Sequence, residues 1–113
     1  MTSDCLFCRI VAGAIPAKIV DETPRCLAFR DVSPEAPVHI LVVPKKHVRS
    51  LAESDDPALL GEMLDFVRRL AEREGVAATG YRTVFNTNQN GGQSVFHLHA
   101  HLLGGRKLSW PPG

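Results

Sequence analysis

The feature that most restricts the fold is an alternation of histidine with apolar side chains near the C-terminal end. His97, His99 and His101 are each separated by one apolar residue, and the apolar character continues to residue 103. Side chains of a β-strand point to opposite faces in turn, so these histidines share one face, successive ones about 6–7 Å apart. The pattern therefore predicts a strand over residues 95–103, with imidazoles on one side and aliphatic groups on the other.

A second strand is predicted over residues 81–87, immediately before the histidine segment. The loop between them, residues 88–94, contains an Asn90-Gly91 step, which is typical of chain reversals. We expect the two strands to pair antiparallel.

The first half of the chain contains three further β-rich segments. Residues 18–21 and 26–29 flank Thr23-Pro24-Arg25, which predicts a hairpin or meander. Residues 38–43 are almost continuously apolar and β-branched and end at Pro44, which predicts a buried central strand.

One long helix and one short helix are also predicted. Asp56 can cap a helix whose first residue is Pro57 and which ends before Gly75, and residues 6–12 allow one or two helical turns. The predicted buried face of the long helix consists of Leu60, Leu64, Val67 and Ala71. Strands, a helix and further strands in 113 residues predict a single α+β domain over residues 1–113 with an antiparallel sheet.

Charge and hydropathy restrict the partners. Thirteen lysines and arginines against twelve acidic residues give a net charge of +1, which provides no general attraction to nucleic acid or anionic membrane. No apolar run approaches the roughly 20 residues of a membrane span, and residues 1–4 lack the pattern of a secretory signal. We expect a cytoplasmic protein that binds neither nucleic acid nor membrane, and whose recognition of any phosphate is local.

The histidine face allows three interpretations: a solvent-facing stripe, a metal cluster, or a nucleophile with supporting imidazoles. The preceding loop favours the third interpretation. Gly91 and Gly92 permit a backbone conformation whose N–H groups can bind an anion, and Gln93 and Ser94 add hydrogen-bond donors. A simple turn would also explain the two glycines. A neutral His99 could then attack phosphorus, and Ser94 could protonate the leaving group.

The cysteines suggest a second site. Cys5 and Cys8 form a Cys-x-x-Cys pair, which is half of a tetrahedral zinc site or, alternatively, two buried thiols near a helix start. The odd number of cysteines argues against a disulfide framework. Cys26 lies in a predicted strand, and we expect it to pack in the core.

At residues 97–103 the sequence resembles the histidine-triad superfamily, whose signature alternates three histidines with apolar residues. The similarity extends from Cys5 to Gly113 and includes residues 29–34, 43–47 and 91–97 and the Trp-Pro-Pro-Gly ending. Within the superfamily the chain is similar to the histidine-triad nucleotide-binding proteins, which are purine nucleoside phosphoramidases. This resemblance implies a homodimer, with a five-stranded sheet in each subunit joined to that of its partner.

The resemblance also implies roles for individual residues. His99 would be nucleotidylated, His39 and His101 would support it, and Ser94 would donate to the leaving group. Asp31 would bind the ribose hydroxyls, although a loop-capping role is an alternative, and His39 could equally be a hydrogen-bonded core residue. The remaining nucleotide contacts implied are Val32 on the purine and Asn86, Gly92 and Gln93 around the phosphate.

Some bacterial relatives in this superfamily complete a structural zinc site with two histidines. The corresponding residues here are His47 and His97, which would join Cys5 and Cys8. This assignment gives His97 to the metal and His99 to the chemistry.

The expected function is hydrolysis of the P–N bond of purine nucleoside 5′-phosphoramidates through a nucleotidyl-His99 intermediate, with no metal required for catalysis. Three alternatives stay open: hydrolysis of dinucleoside polyphosphates, a nucleotide-binding regulatory role with vestigial hydrolysis, and a zinc-only structural or storage role.

Overall fold

The computed structural model describes residues 4–113, and Met1, Thr2 and Ser3 of the predicted domain lie outside them. Its sheet has five antiparallel strands in the order β1-β2-β3-β5-β4. The strands are β1 (Ile19–Glu22), β2 (Cys26–Arg30), β3 (Val38–Pro44), β4 (Tyr81–Val84) and β5 (Ala100–Gly104). The other elements of residues 4–113 are two helices, α1 (Leu6–Val11) and α2 (Pro57–Arg73), and a short 3-10 turn at Leu51–Glu53. The predicted α+β class and antiparallel sheet are confirmed.

Strand β3 lies at the centre of the sheet and is covered on both faces. Ile40 and Val42 belong to the core shared with α2, whereas Leu41 and Val43 pack with Phe7 of α1 on the other side. Burial on both faces is why this segment is a continuous apolar run.

Helix α2 begins as predicted, because the Asp56 side chain accepts a hydrogen bond from the Leu59 backbone N–H and Pro57 occupies the first turn. The predicted buried face was partly wrong, since Leu64 is 50% exposed. The face of the helix that contacts the core instead includes its bulkiest apolar side chains. Its buried residues are Leu59, Met63, Phe66, Val67, Leu70 and Ala71.

The last two strands are shorter than predicted. Their ladder ends where Val84 pairs with His101, so the strand predicted over 81–87 stops at Val84 and that predicted over 95–103 starts only at Ala100. Before that point the backbone N–H of Leu98 donates to the carbonyl of Val48 instead of to β4. Residues 85–99 therefore form a long connection that is attached to the segment after β3.

The reversal at Asn90-Gly91 is not a two-residue hairpin. The backbone N–H of Gly92 donates to Gln89 and that of Gln93 to Asn88, and Asn88 takes the left-handed conformation with φ 60°. Gly91 approaches the backbone of Thr87 so closely that a Cβ atom would lie 2.4 Å from its carbonyl oxygen.

Within residues 4–113, neither helix has the length and apolar character needed to cross a bilayer.

Candidate functional site

A cleft of about 360 Å³ lies on the face of the sheet that α1 covers. Apolar side chains from α1, the following loop and the sheet form most of its wall: Leu6, Phe7, Ile10, Ile15, Phe29 and Leu41. Its polar residues include Asp31, Ser94, His99 and His101. The cleft thus combines an apolar compartment with a cluster of imidazole, hydroxyl and carboxylate groups, which suits a ligand with one flat apolar part and one polar part.

The structure brings together only part of the residue set predicted from the sequence. Asp31, Val32, Ser94, His99 and His101 line the cleft, with the Val32 side chain 95% exposed at its rim. The apolar residues of α1 that form the wall were missed, because their role depends on how the helix packs on the sheet.

Three predicted phosphate contacts, Asn86, Gly92 and Gln93, do not line the cleft. The Gln93 carboxamide accepts from the Asn88 backbone N–H at 2.8 Å and donates to the carbonyls of Arg49 and Val95 at 2.9 and 3.1 Å. Gln93 therefore braces the loop that carries Ser94.

One hydrogen bond fixes the orientation of His99. Its Nδ1 lies 2.7 Å from the carbonyl oxygen of His97, and because a carbonyl can only accept, Nδ1 carries the hydrogen. The lone pair of the neutral ring is then on Nε2. Burial lowers the pKa of His99, which favours this neutral form. Phe7 packs edge-on against the ring, with centroids 5.1 Å apart.

A chain of hydrogen bonds also fixes the protons of the other two imidazoles. The Glu35 backbone N–H donates to Nδ1 of His39 at 3.0 Å, so neutral His39 carries its hydrogen on Nε2. That hydrogen points to Nδ1 of His101 at 2.9 Å, and Asp31 Oδ2 lies 3.4 Å from the same nitrogen of His39. His101 therefore carries its own hydrogen on Nε2.

The Nε2 atom of His101 is buried and has no hydrogen-bond partner among residues 4–113. Burial, together with the neighbouring His99 and His39, lowers the pKa of His101 to about 4, while Asp31 opposes this shift. A neutral ring with an unused N–H beside His99 is a donor suited to an anionic oxygen.

Cys5, Cys8, His47 and His97 form a second cluster beside the cleft, and their ligand atoms all lie within 4.8 Å of one another. His97 Nδ1 is 3.3 Å from Cys5 Sγ, 3.4 Å from Cys8 Sγ and 3.2 Å from His47 Nδ1. Tetrahedral zinc with Zn–S near 2.3 Å and Zn–N near 2.0–2.1 Å implies ligand atoms about 3.3–3.8 Å apart. The donor set and its spacing therefore fit zinc.

The surroundings of His97 also suit a metal ligand. Its Nε2 lies 2.8 Å from the carbonyl oxygen of Pro44, so the ring hydrogen is on Nε2 and Nδ1 presents its lone pair to the cluster. The Cys8 backbone N–H donates to Cys5 Sγ at 3.3 Å, which holds this sulfur in place at the cluster.

The ligand-type atoms of Asp31, His39 and His101 also lie within 4.8 Å of one another. A metal there would need the lone pair of His39 Nε2, but this atom carries the hydrogen because Nδ1 accepts from Glu35. The five histidines of the chain thus divide into two groups, with His47 and His97 suited to a metal and His39, His99 and His101 suited to proton and phosphate chemistry.

Comparisons of the chain with family models, protein sequences and solved structures all point to the same family. Residues 12–108 match the family model described as HIT domain. An uncharacterized HIT-like protein of Synechococcus elongatus is 55% identical, with 100% of each chain covered. A HIT family hydrolase from Legionella pneumophila superposes with a TM-score of 0.95 at 50% identity, covering 97% of this chain and 100% of that one. A Zn-bound histidine triad family protein from Mycobacterium smegmatis superposes with a TM-score of 0.86 at 30% identity, covering 97% and 83%.

Proposed function

Since the chain belongs to the HIT domain family, we propose that it is a nucleotide hydrolase that cleaves the P–N bond of purine nucleoside 5′-phosphoramidates. The observation that carries the proposal is the orientation of His99, whose Nδ1–H is held by the His97 carbonyl while the ring lines the cleft. This arrangement leaves Nε2 as an unprotonated nitrogen for attack.

In the first step, His99 Nε2 attacks the α-phosphorus and the P–N bond breaks. The amine leaves with a proton from the Ser94 hydroxyl, and the positive charge that develops on the His99 ring is stabilised by the carbonyl at Nδ1. In the second step, water attacks phosphorus, the P–Nε2 bond breaks, and the proton released from water restores the hydroxyl. The products are the nucleoside monophosphate and the amine, with His99 neutral again.

The remaining site residues bind the substrate. His101 donates its Nε2–H to a phosphate oxygen, in the state that His39 imposes. Asp31, whose Oδ1 accepts from the Ser33 backbone N–H at 2.8 Å and whose Oδ2 lies 3.4 Å from His39 Nε2, would accept from the ribose hydroxyls with the remaining lone pairs of its carboxylate. The base would lie in the apolar compartment, against Val32.

The Cys5, Cys8, His47 and His97 cluster would hold a structural Zn²⁺. A zinc ion there would link three parts of the chain: the segment before β1, the segment that follows β3, and the end of the connection between β4 and β5. It would take no part in the bond changes. Elemental analysis of the purified protein tests this assignment, and a wild-type protein without zinc would contradict it.

We further propose that the chain forms a homodimer. Strand β4 is at the edge of the sheet, where β5 is its one strand partner among residues 4–113, so its outer side is available for pairing with a strand of a second copy. Light scattering after gel filtration tests the proposal, and a monomeric mass would contradict it.

The test of function compares wild type with His99→Ala on an adenosine and a guanosine 5′-phosphoramidate. Wild type should release the monophosphate and, after acid-free quenching, show the mass of one added nucleotidyl group, whereas His99→Ala should show neither. Equal turnover by both proteins would refute the mechanism. Faster cleavage of dinucleoside polyphosphates than of phosphoramidates would reassign the substrate, and negligible turnover of both by folded wild type would favour a regulatory role.

A further inference from the structure

His97 belongs to both sites of the molecule. Its ring presents Nδ1 to Cys5, Cys8 and His47 and is held at Nε2 by the Pro44 carbonyl, and the residue is fully buried. Its carbonyl oxygen is the group that accepts the Nδ1 hydrogen of His99. The position of one residue therefore links the cluster to the proton state of the nucleophile.

Phe7 provides a second link between the sites. It lies between the two cysteines on α1 and is 4% exposed. Its ring packs against His97 and His99 at centroid distances of 5.9 and 5.1 Å. Helix α1 has only six residues, too few to be stable alone, so its position depends on its packing and on the flanking cysteines.

We propose, on the basis of the proposed function, that the Cys–His cluster orients the nucleophile, with His97 and Phe7 as positioning residues for His99. The filled cluster fixes the His97 ring, and through it the carbonyl that holds the hydrogen of His99 on Nδ1. When the cluster is empty, the hydrogen bond to the Pro44 carbonyl is what still holds the His97 ring, so the His97 carbonyl and Phe7 are positioned less firmly. His99 then samples the tautomer with the hydrogen on Nε2, in which no lone pair faces the cleft.

A purely structural zinc site makes a different prediction. A zinc ion that only cross-links the fold would change the stability of the protein. The fraction of zinc-free protein that stays folded would keep the Nδ1–H tautomer of His99 and the wild-type kcat. If the cluster orients His99, a folded protein without zinc has a mixture of His99 tautomers and a lower kcat.

The test starts with His47, which, like the other three residues of the cluster, does not line the cleft. We expect His47→Ala to lose zinc and His47→Cys, which supplies a thiolate ligand instead, to retain it. A matched pair, Cys8→Ala and Cys26→Ala, removes one thiol inside the cluster and one in the core away from it. Zinc content, thermal unfolding, kcat at saturating substrate and long-range ¹H–¹⁵N spectra of the His99 ring are measured for each, at a temperature below the unfolding transition.

We expect His47→Ala and Cys8→Ala to show a mixed His99 tautomer and a kcat lower by roughly tenfold to hundredfold, the effect of a displaced catalytic group. His47→Cys and Cys26→Ala should keep the Nδ1–H tautomer and most of the turnover. Folded, zinc-free variants with wild-type kcat and a single Nδ1–H tautomer would overturn the proposal.

Phe7→Leu covers the case in which the zinc-free variants unfold, because it leaves all four ligands in place. We expect it to bind zinc and yet to broaden or split the His99 ring signals, and unchanged signals would overturn the proposal. The ring spectra need no substrate. If wild type turns over no nucleotide, the proposed function fails while the spectra still decide whether the cluster orients His99.

Discussion

Replacing His39 with phenylalanine tests the proton chain at the site. His39 Nε2–H donates to His101 Nδ1 at 2.9 Å, and the His39 side chain is 4% exposed, so a buried phenylalanine in its place supplies no donor. Without that donor His101 is free to move its hydrogen to Nδ1, and a lone pair would then face the phosphate of the proposed substrate. Loss of one preorganised donor to a developing anion costs about 10²–10³ in kcat, or about 2.7–4 kcal/mol. We therefore expect His39→Phe to lose that factor in kcat.

The assay is steady-state hydrolysis of an adenosine 5′-phosphoramidate, with kcat and KM determined separately. We expect KM to change little, because His39 does not line the cleft. The matched variant is His39→Gln, whose side-chain N–H₂ can donate from nearly the same place as the imidazole Nε2 and should recover part of kcat. If folded His39→Phe retains kcat within about twofold of wild type, far less than the loss of a transition-state donor, then His39 does not set the state of His101.

Other predictions concern stability, measured by denaturant unfolding. Phe66→Ala should lower the free energy of unfolding by about 3–5 kcal/mol, whereas Leu64→Ala, at a half-exposed position, should change it by less than about 1 kcal/mol; equal effects would contradict the observed helix face. Gly91→Ala should destabilise by about 1–3 kcal/mol and lower turnover, because its Cβ would meet the Thr87 backbone, while Gly61→Ala in open space on α2 should stabilise by about 0.5–1 kcal/mol; the reverse order would refute the close approach. The pKa of His101 is lowered from 6.5 to about 4, so on acidification the unfolded chain binds this proton at a higher pH than the folded chain does. The free energy of unfolding should therefore fall as the pH decreases from 6.5 to about 4. The pH dependence should be shallower in His101→Asn by up to about 1.4 kcal/mol per pH unit, and identical slopes would contradict the shift.

The elements that could be predicted from sequence are those specified by nearby residues. Helix α2 has its own start signals in Asp56 and Pro57, and β3 has an uninterrupted apolar run before Pro44. The start of β5 could not be predicted in this way. The His97 ring and the Leu98 backbone N–H donate hydrogen bonds to the carbonyls of Pro44 and Val48, about fifty positions earlier. Nothing in the local sequence pattern indicates those contacts.

The histidine site follows the same division. Alternation predicted that His97, His99 and His101 share one face of a strand, and family resemblance placed His97 with the cysteines. In the structure His97 lies in the cysteine cluster, and His99 and His101 line the cleft. The groups that fix the imidazole hydrogens are the carbonyl of His97, the backbone N–H of Glu35 and the carbonyl of Pro44. Main-chain atoms are present at every residue, so a sequence cannot indicate which of them will be partners. The completion of the Cys5 and Cys8 pair by two histidines came from family resemblance, and spacing alone left it open.

The strand order also determines when in folding the site can form. β3 pairs with β5 rather than with β4, so Val38 must find Gly104 across the whole of α2 and β4. Contacts between residues so far apart in sequence form slowly, because the intervening chain must be ordered or closed into a loop first. During synthesis a ribosome-bound chain could complete β1, β2, β3 and α2 and still have no cleft histidine pair, since His101 is supplied only by the last strand. Catalytic competence would then arise late and all at once, and its appearance after dilution from denaturant would report the final long-range pairing step.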